Sequence, residues 1–199
     1  MRKLLIATGN RGKLKEFQSL LTGLEVELVM PKDLGLELEV VEDGLTYAEN
    51  AAKKARAYSQ ASGLLSLADD SGLEVEALDG APGLHSARYL PLPNATDADR
   101  RAYLLKNLMG KPQPWQAHFH ATLAIGLPDG QMLFAEGNCY GEMIAEERGE
   151  NGFGYDPVFF IPEMGKTMAE LSMDEKNRLS HRALAVQNAL PLLRKLLED

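Results

Sequence analysis

The chain has 199 residues, of which 45% are hydrophobic, 25% charged and 7% aromatic, a balance that excludes disordered, collagen-like and stalk-forming classes. With 29 Asp and Glu against 21 Lys and Arg, the net charge is −8, the wrong sign for gripping a polynucleotide through its phosphates, so no nucleic-acid polymer is expected as partner. One cysteine, Cys139, permits no internal disulfide and fits a reducing cytoplasm. The first apolar run, Leu4 to Ala7, is too short for a signal peptide, and no run is long enough to cross a bilayer, so no membrane role is expected.

In chain order, Lys3 to Ala7 reads as a buried strand interrupted at Thr8-Gly9-Asn10, after which Leu14, Phe17, Leu20 and Leu21 recur at helical spacing. Glu25 to Met30 reads as a second strand, and an acidic loop runs from Glu37 to Gly44. Thr46, with Glu49 three residues on, caps a helix through the Ala-rich stretch to Ala61. Leu64 to Ala68 reads as a short strand that ends at Asp69-Asp70-Ser71-Gly72, with extended chain resuming from Leu73 to Ala77. Thr96 caps a helix to about Met109. The alternation from Ala117 to Leu127, the Pro128-Asp129-Gly130 turn and Met132 to Ala135 predict a hairpin, followed by a separate extended stretch from Gly137 to Glu150. Asn151 to Asp156 is a Gly-rich loop before the apolar Val158 to Ile161, Ser172 and Glu175 form another capping-box pattern, and Ser180 precedes the last helix. These elements predict one two-lobed α/β domain over 1–199, a mixed central sheet flanked by helices with an antiparallel-rich second lobe.

Chemistry concentrates in a few places. T-G-N-R-G-K at 8–13 places a Gly turn and a lysine at a helix start, where backbone N–H groups and the dipole favour an anion. It is not a Walker A loop, because its glycines lie three apart and no Ser or Thr follows Lys13. In Asp69-Asp70 adjacent side chains point to opposite sides, so one carboxylate faces a site while the other is tied into the structure. A carboxylate beside a phosphate site suits magnesium, which takes few protein oxygens. Asn50, Lys53 and Lys54 share a helix face downstream of the acidic Glu39, Glu42 and Asp43. Asn151 to Asp156 offers glycines for close approach and an aromatic ring for stacking, and Lys176 with Ser180-His181-Arg182 clusters donors at a helix start. A serine hydrolase lacks its G-x-S-x-G elbow around Ser71, and His118 with His120 lacks a third ligand at suitable spacing.

Taken in order, T-G-N-R-G-K at 8–13, G-L-T-Y-A-E-N-A-x-x-K-A at 44–55, A-D-D-S-G-L-E-V at 68–75, G-A-P-G-L-H-S-A-R-Y at 80–89, G-F-G-Y-D-P-V-F at 152–159 and S-H-R at 180–182 resemble the inosine/xanthosine triphosphate pyrophosphatase family, the HAM1-like non-canonical purine nucleotide pyrophosphatases. The likeness runs from about residue 3 to the last helix. It implies a homodimeric, Mg2+-dependent cytoplasmic enzyme that converts ITP, dITP, XTP and dXTP to the monophosphate and pyrophosphate, clearing deaminated purines from the nucleotide pool. It further implies that Thr8, Gly9, Asn10, Arg11, Gly12 and Lys13 hold the triphosphate and that Asp70 is general base and metal contact. Ser71, Phe153, Gly154, Tyr155, Asp156, Lys176, His181 and Arg182 match nucleotide-binding positions, and Glu42 matches the acidic metal position, with Glu39 or Asp43 as alternatives. In this scheme Lys53 joins Lys13 on the leaving pyrophosphate, and Asp69 is a structural or second metal carboxylate. Donors of the His181 and Arg182 region, or backbone N–H groups, would donate to the 6-carbonyl of hypoxanthine or xanthine and reject the 6-amino group of adenine, a discrimination worth roughly 10⁴ or more. A pyrophosphatase for other modified nucleotides, or a triphosphate-binding module without turnover, is the alternative.

Overall fold

In a computed structural model, which describes residues 2–198, the chain builds a seven-stranded sheet in the order β2-β1-β3-β4-β5-β6-β7. β1 (Arg2–Ile6) lies parallel to β2 (Val26–Val29) and to β3 (Leu65–Val75). Its Leu4, Leu5 and Ile6 have no exposed surface, as expected of a parallel strand covered on both faces. Parallel neighbours need crossovers, supplied by α1 (Arg11–Leu20) between β1 and β2 and α2 (Tyr47–Ser62) between β2 and β3. Thr46 caps α2 by accepting from Glu49 N–H, and Gly63, at φ 68°, ends it in the left-handed conformation that glycine adopts without strain.

β4 (Trp115–Gly126) and β5 (Met132–Met143) form the expected hairpin. The side-chain pairs Gln116–Glu142, His120–Asn138 and Thr122–Glu136 step in opposite directions along the two strands, as an antiparallel ladder requires. β6 (Phe159–Ile161) and β7 (Lys166–Thr167) add antiparallel strands. α3 (Asp97–Leu108) and α4 (Met173–Leu179) begin with capping boxes, Thr96 with Asp99 and Ser172 with Glu175, and α5 (His181–Glu198) closes the chain. The α/β class and the mixed sheet are thus as expected.

Two breaks expected from sequence are absent. Asp69 to Gly72 do not end a strand: β3 runs unbroken through them, because both carboxylates find side-chain partners on neighbouring helices and need no turn to reach water. Gly137 likewise does not separate two stretches. β5 passes through it, and its missing side chain admits the start of α5, since a Cβ there would lie 2.3 Å from His181 O and 2.4 Å from Ala185 N.

The chain divides into two compact units. The first comprises residues up to Asp70, Ala121–Gly137 and the chain from His181 onward; the second comprises Ser71–His120 and Asn138–Ser180. In the first, Phe17 of α1 and Leu21 at its C-cap pack with Leu67, Leu123 and the Ala185, Val186, Ala189 and Leu193 face of α5. Its α2 side is built of small residues, Ala51 and Ala55 against Ala7, Ala68 and Ala124, which lets helix and sheet approach closely. In the second, Leu104 and Leu108 of α3 join Trp115, Phe119 and Phe159, with the last two rings 4.6 Å apart.

Candidate active site

In the first unit the T-G-N-R-G-K loop links β1 to α1. Thr8 Oγ1 accepts from Asn10 N–H at 3.1 Å, and Asn10 Oδ1 caps α1 by accepting from Gly12 N–H at 2.8 Å and Lys13 N–H at 3.1 Å. Two first-turn amides are therefore occupied by the cap, and the loop's attraction for an anion rests on the remaining helix dipole and Lys13. Burial lowers the pKa of the Lys13 ammonium and Arg182 and Lys54 add to that shift, while Asp69 opposes it.

Asp69 is the hub of a buried ion network. Its Oδ2 accepts from Lys13 Nζ at 3.1 Å and from Arg182 Nε and Nη2 at 3.2 and 3.0 Å, whereas its buried Oδ1 has no hydrogen-bond partner among the described residues. Arg182 Nη1 donates to Glu16 on α1, and the guanidinium lies 5.9 Å from the Phe17 ring centroid. Burial alone would raise the Asp69 carboxyl, but the charges of Lys13, Arg182 and Lys54 outweigh it and hold the group well below the ordinary range. Arg182, 1% exposed, is thereby a strut between Asp69 and Glu16. His181 is buried beside it in the chain.

Asp70, next along β3, engages different partners. Its Oδ2 accepts from Asn50 Nδ2 on α2 at 3.0 Å, while Asn50 Oδ1 accepts from Gly44 N–H at 2.8 Å. Asn50 thus ties the end of the acidic loop to the strand. Glu42 pairs with Lys54 at 3.0 Å. Burial pushes the Asp70 carboxyl up and the charge of Glu42 adds to it, while Lys54, Asn50 and Lys13 pull it down; the net direction is up. Lys53 is not brought here, because it pairs with Asp43 in an exposed position. Lys54 is the α2 lysine whose charge reaches Asp69 and Asp70. Of the three acidic-loop candidates, Glu42 acts electrostatically on Asp70, whereas Glu39 is exposed and Asp43 is held by Lys53.

The second unit carries Ser71 on β3 and the Asn151 to Asp156 loop. Asp156 Oδ2 accepts from Phe153 N–H at 3.0 Å and from Lys176 Nζ at 2.8 Å, and the ammonium stands 5.3 Å from the Phe153 ring centroid. Gly152 (φ 78°) could carry no side chain, since a Cβ would fall 2.0 Å from Asp156 Oδ2. Tyr155 turns inward, donating its hydroxyl to Ser86 O at 2.9 Å within the core. Gly154 is held by Asp97 and Arg101 of α3.

The sequence reading missed Glu16, Asp97 and Arg101, and it chose Lys53 rather than Lys54. Glu16 lies one turn beyond Lys13 on α1 and could have been sought there; nothing local marks Asp97 or Arg101. Among the described residues no group of three or more His, Cys, Asp and Glu side chains is gathered as a metal site, and no helix is long and apolar enough to cross a membrane.

Comparison with known proteins gives a concordant result. A profile described as the Ham1 family matches residues 4–192. A protein of Desulforamulus reducens named dITP/XTP pyrophosphatase is 47% identical over 195 residues, 98% of this chain and 96% of that one. A protein of Synechococcus with the same name is 47% identical over 199 residues, 100% of this chain and 93% of that one. Among solved structures, a HAM1 protein from Coxiella burnetii superposes with a TM-score of 0.88 at 39% identity, covering 98% of this chain and all of the other. The Staphylococcus aureus Ham1 protein gives 0.83 at 37%, covering 99% and 98%. A profile match over nearly the whole chain, and full-length relatives that share its fold, place the chain in the Ham1 family.

Proposed function

We propose that the protein is a nucleoside-triphosphate pyrophosphatase that hydrolyses ITP, dITP, XTP and dXTP to the monophosphate and pyrophosphate, removing deaminated purines from the nucleotide pool. The observation that carries this reading is the convergence on β3 of two carboxylates in contrasting surroundings, one paired with two cations and the other beside a neutral amide and a second carboxylate. The dITP/XTP pyrophosphatase names of full-length relatives support the substrate class.

Asp70 is the proton acceptor. Asp69 Oδ2 already receives donors from Lys13 and Arg182, which makes it a poor base, whereas Asn50 orients the Asp70 carboxylate without neutralising it. Two carboxylates in different environments take different roles. As water attacks the α-phosphorus, its proton passes to an Asp70 carboxylate oxygen. The bond from the α-phosphorus to the bridging oxygen breaks, and pyrophosphate leaves with the electron pair. Lys13 and Lys54 offset charge on the phosphates, and Lys54 takes the place expected of Lys53. The surroundings of Asp70 fit Mg2+: a buried carboxylate that feels the like charge of Glu42 is suited to a hard cation that draws its other ligands from phosphates and water. Glu42 and Asp70 would hold it, with Asp69 adjoining, and the ion would supply Lewis-acid polarisation of phosphate oxygens.

The Phe153 to Asp156 loop, Lys176, Ser71 and His181 contact the nucleotide in this reading, while Arg182 and Tyr155 support the site from within. The protein acts as a cytoplasmic homodimer on small nucleotides. Pyrophosphate release with Mg2+ is measured on dITP, XTP, GTP and ATP. Preference for the first two is expected; equal rates on all four, orthophosphate as first product, or binding without turnover would refute it.

A further inference from the structure

We propose that Asp97 and Arg101 are positioning residues that clamp the Gly154 peptide and so hold the Phe153 to Asp156 loop in place for substrate, a role that rests on reading this loop as a nucleotide contact. Asp97 Oδ2 accepts from Gly154 N–H at 2.8 Å, and Arg101 Nη1 donates to Gly154 O at 2.9 Å. Both polar groups of one loop residue are therefore held by side chains one turn apart on α3. The guanidinium is itself fixed, because Nε and Nη2 donate to the two carboxylate oxygens of Glu147 at 2.9 and 2.8 Å, a planar fork that a lysine does not reproduce.

The loop needs such a grip. Gly152 and Gly154 adopt φ of 78° and 62°, and glycine surrenders more conformational freedom on ordering than any other residue. A Cβ built on Gly154 would meet no atom within 4 Å, and a cavity of about 310 Å³, lined by Asp97, Arg101, Glu147, Gly152 and Phe153 among others, opens beside the loop. Here hydrogen bonds rather than close packing set where the peptide lies. The far end of the loop is tied separately, by Asp156 to Phe153 N–H and Lys176. The clamp has a rigid base, since Leu104 and Leu108 of the same helix are fully buried. Burial would raise the Asp97 carboxyl, yet Gly154 N–H, Arg100 and Arg101 together bring it below its ordinary value, as expected of a carboxylate whose charge is used.

The test compares Arg101→Gln, Asp97→Asn and the conservative Arg101→Lys in the full chain by dITP kinetics, melting temperature and amide exchange of residues 152–155. For Arg101→Gln and Asp97→Asn, KM for dITP rises about tenfold while kcat at saturation stays within about twofold, the pattern of lost binding geometry rather than lost chemistry. Loop amides exchange faster, and Arg101→Lys recovers part of the KM. An unchanged KM, or kcat falling with melting temperature at constant KM, overturns the clamp in favour of a merely structural ion pair. If the wild type itself fails to hydrolyse dITP, the functional reading fails separately. Amide exchange then still decides the clamp: faster exchange in Arg101→Gln supports it and unchanged exchange overturns it.

Discussion

Replacing Arg182 by methionine tests the buried ion network most directly. The side chain is 1% exposed, and its partners Glu16 and Asp69 are 5% and 1% exposed. Removing the guanidinium takes three donors from two buried carboxylates, and Lys13 at 3.1 Å stays with Asp69. Breaking a buried pair in this way costs about 3–5 kcal/mol. In urea unfolding followed by circular dichroism at pH 7.5, with a slope of about 2–3 kcal/mol per M, the midpoint falls by about 1–2.5 M. The pH dependence follows from sign. In the wild type the folded Asp69 carboxyl titrates below its unfolded value, so its contribution is present above about pH 4 and is lost as pH falls through the folded value. The variant lacks the Arg182 pairing that lowers the folded value, so the gap to wild type narrows as pH falls below about 4. Adding Glu16→Gln to Arg182→Met neutralises a buried carboxylate that has lost the Arg182 guanidinium and restores about 1 kcal/mol or more. A loss below about 1 kcal/mol at pH 7.5, or a gap that does not change with pH, would refute the network's role.

Further outcomes are expected at Asp70, Asp69, Gly137 and Cys139. Asp70→Asn lowers kcat by about 10²–10⁴-fold while nucleotide binding, read by calorimetry, largely survives; Asp69→Asn instead lowers the melting temperature, because a neutral amide replaces one of the two carboxylates that Arg182 bridges. Gly137→Ala costs roughly 2–3 kcal/mol in the same unfolding assay, since the new Cβ meets the α5 backbone at 2.3 and 2.4 Å. Burial, then the charge of Asp156, pushes the Cys139 thiol up to about 12 from an ordinary 9. It should resist Ellman's reagent in the native protein at pH 8 and react fully in urea, and stability should fall as pH rises above about 9, where the unfolded thiol ionises and the folded one does not.

Local signals were read well because their physics is local. Thr46, Thr96 and Ser172 cap helices through amides three residues on, and the β4–β5 hairpin followed from period-two alternation around a Pro-Asp-Gly turn. Asp69-Asp70-Ser71-Gly72 misled for the same reason: acidic residues beside Ser and Gly favour turns when judged alone. The partners that keep them in β3 lie elsewhere in the chain, Asn50 20 residues away and Arg182 113 residues away. Lys53 and Lys54 are equivalent in composition and spacing, and only the packing of α2 decides which is turned to Asp69 and Asp70.

The sequence by itself determined the class, the helix starts, the hairpin and the ordered motifs that resemble the Ham1 family, because each is written in near neighbours or in motif order. Tertiary structure alone decided that Arg182 is a buried strut, that Asp69 and Asp70 part into a cation-paired and an amide-oriented carboxylate, and that α3 holds Gly154. Burial and charge pairing depend on which distant segments share a core, and a period of two or 3.6 residues carries no record of that.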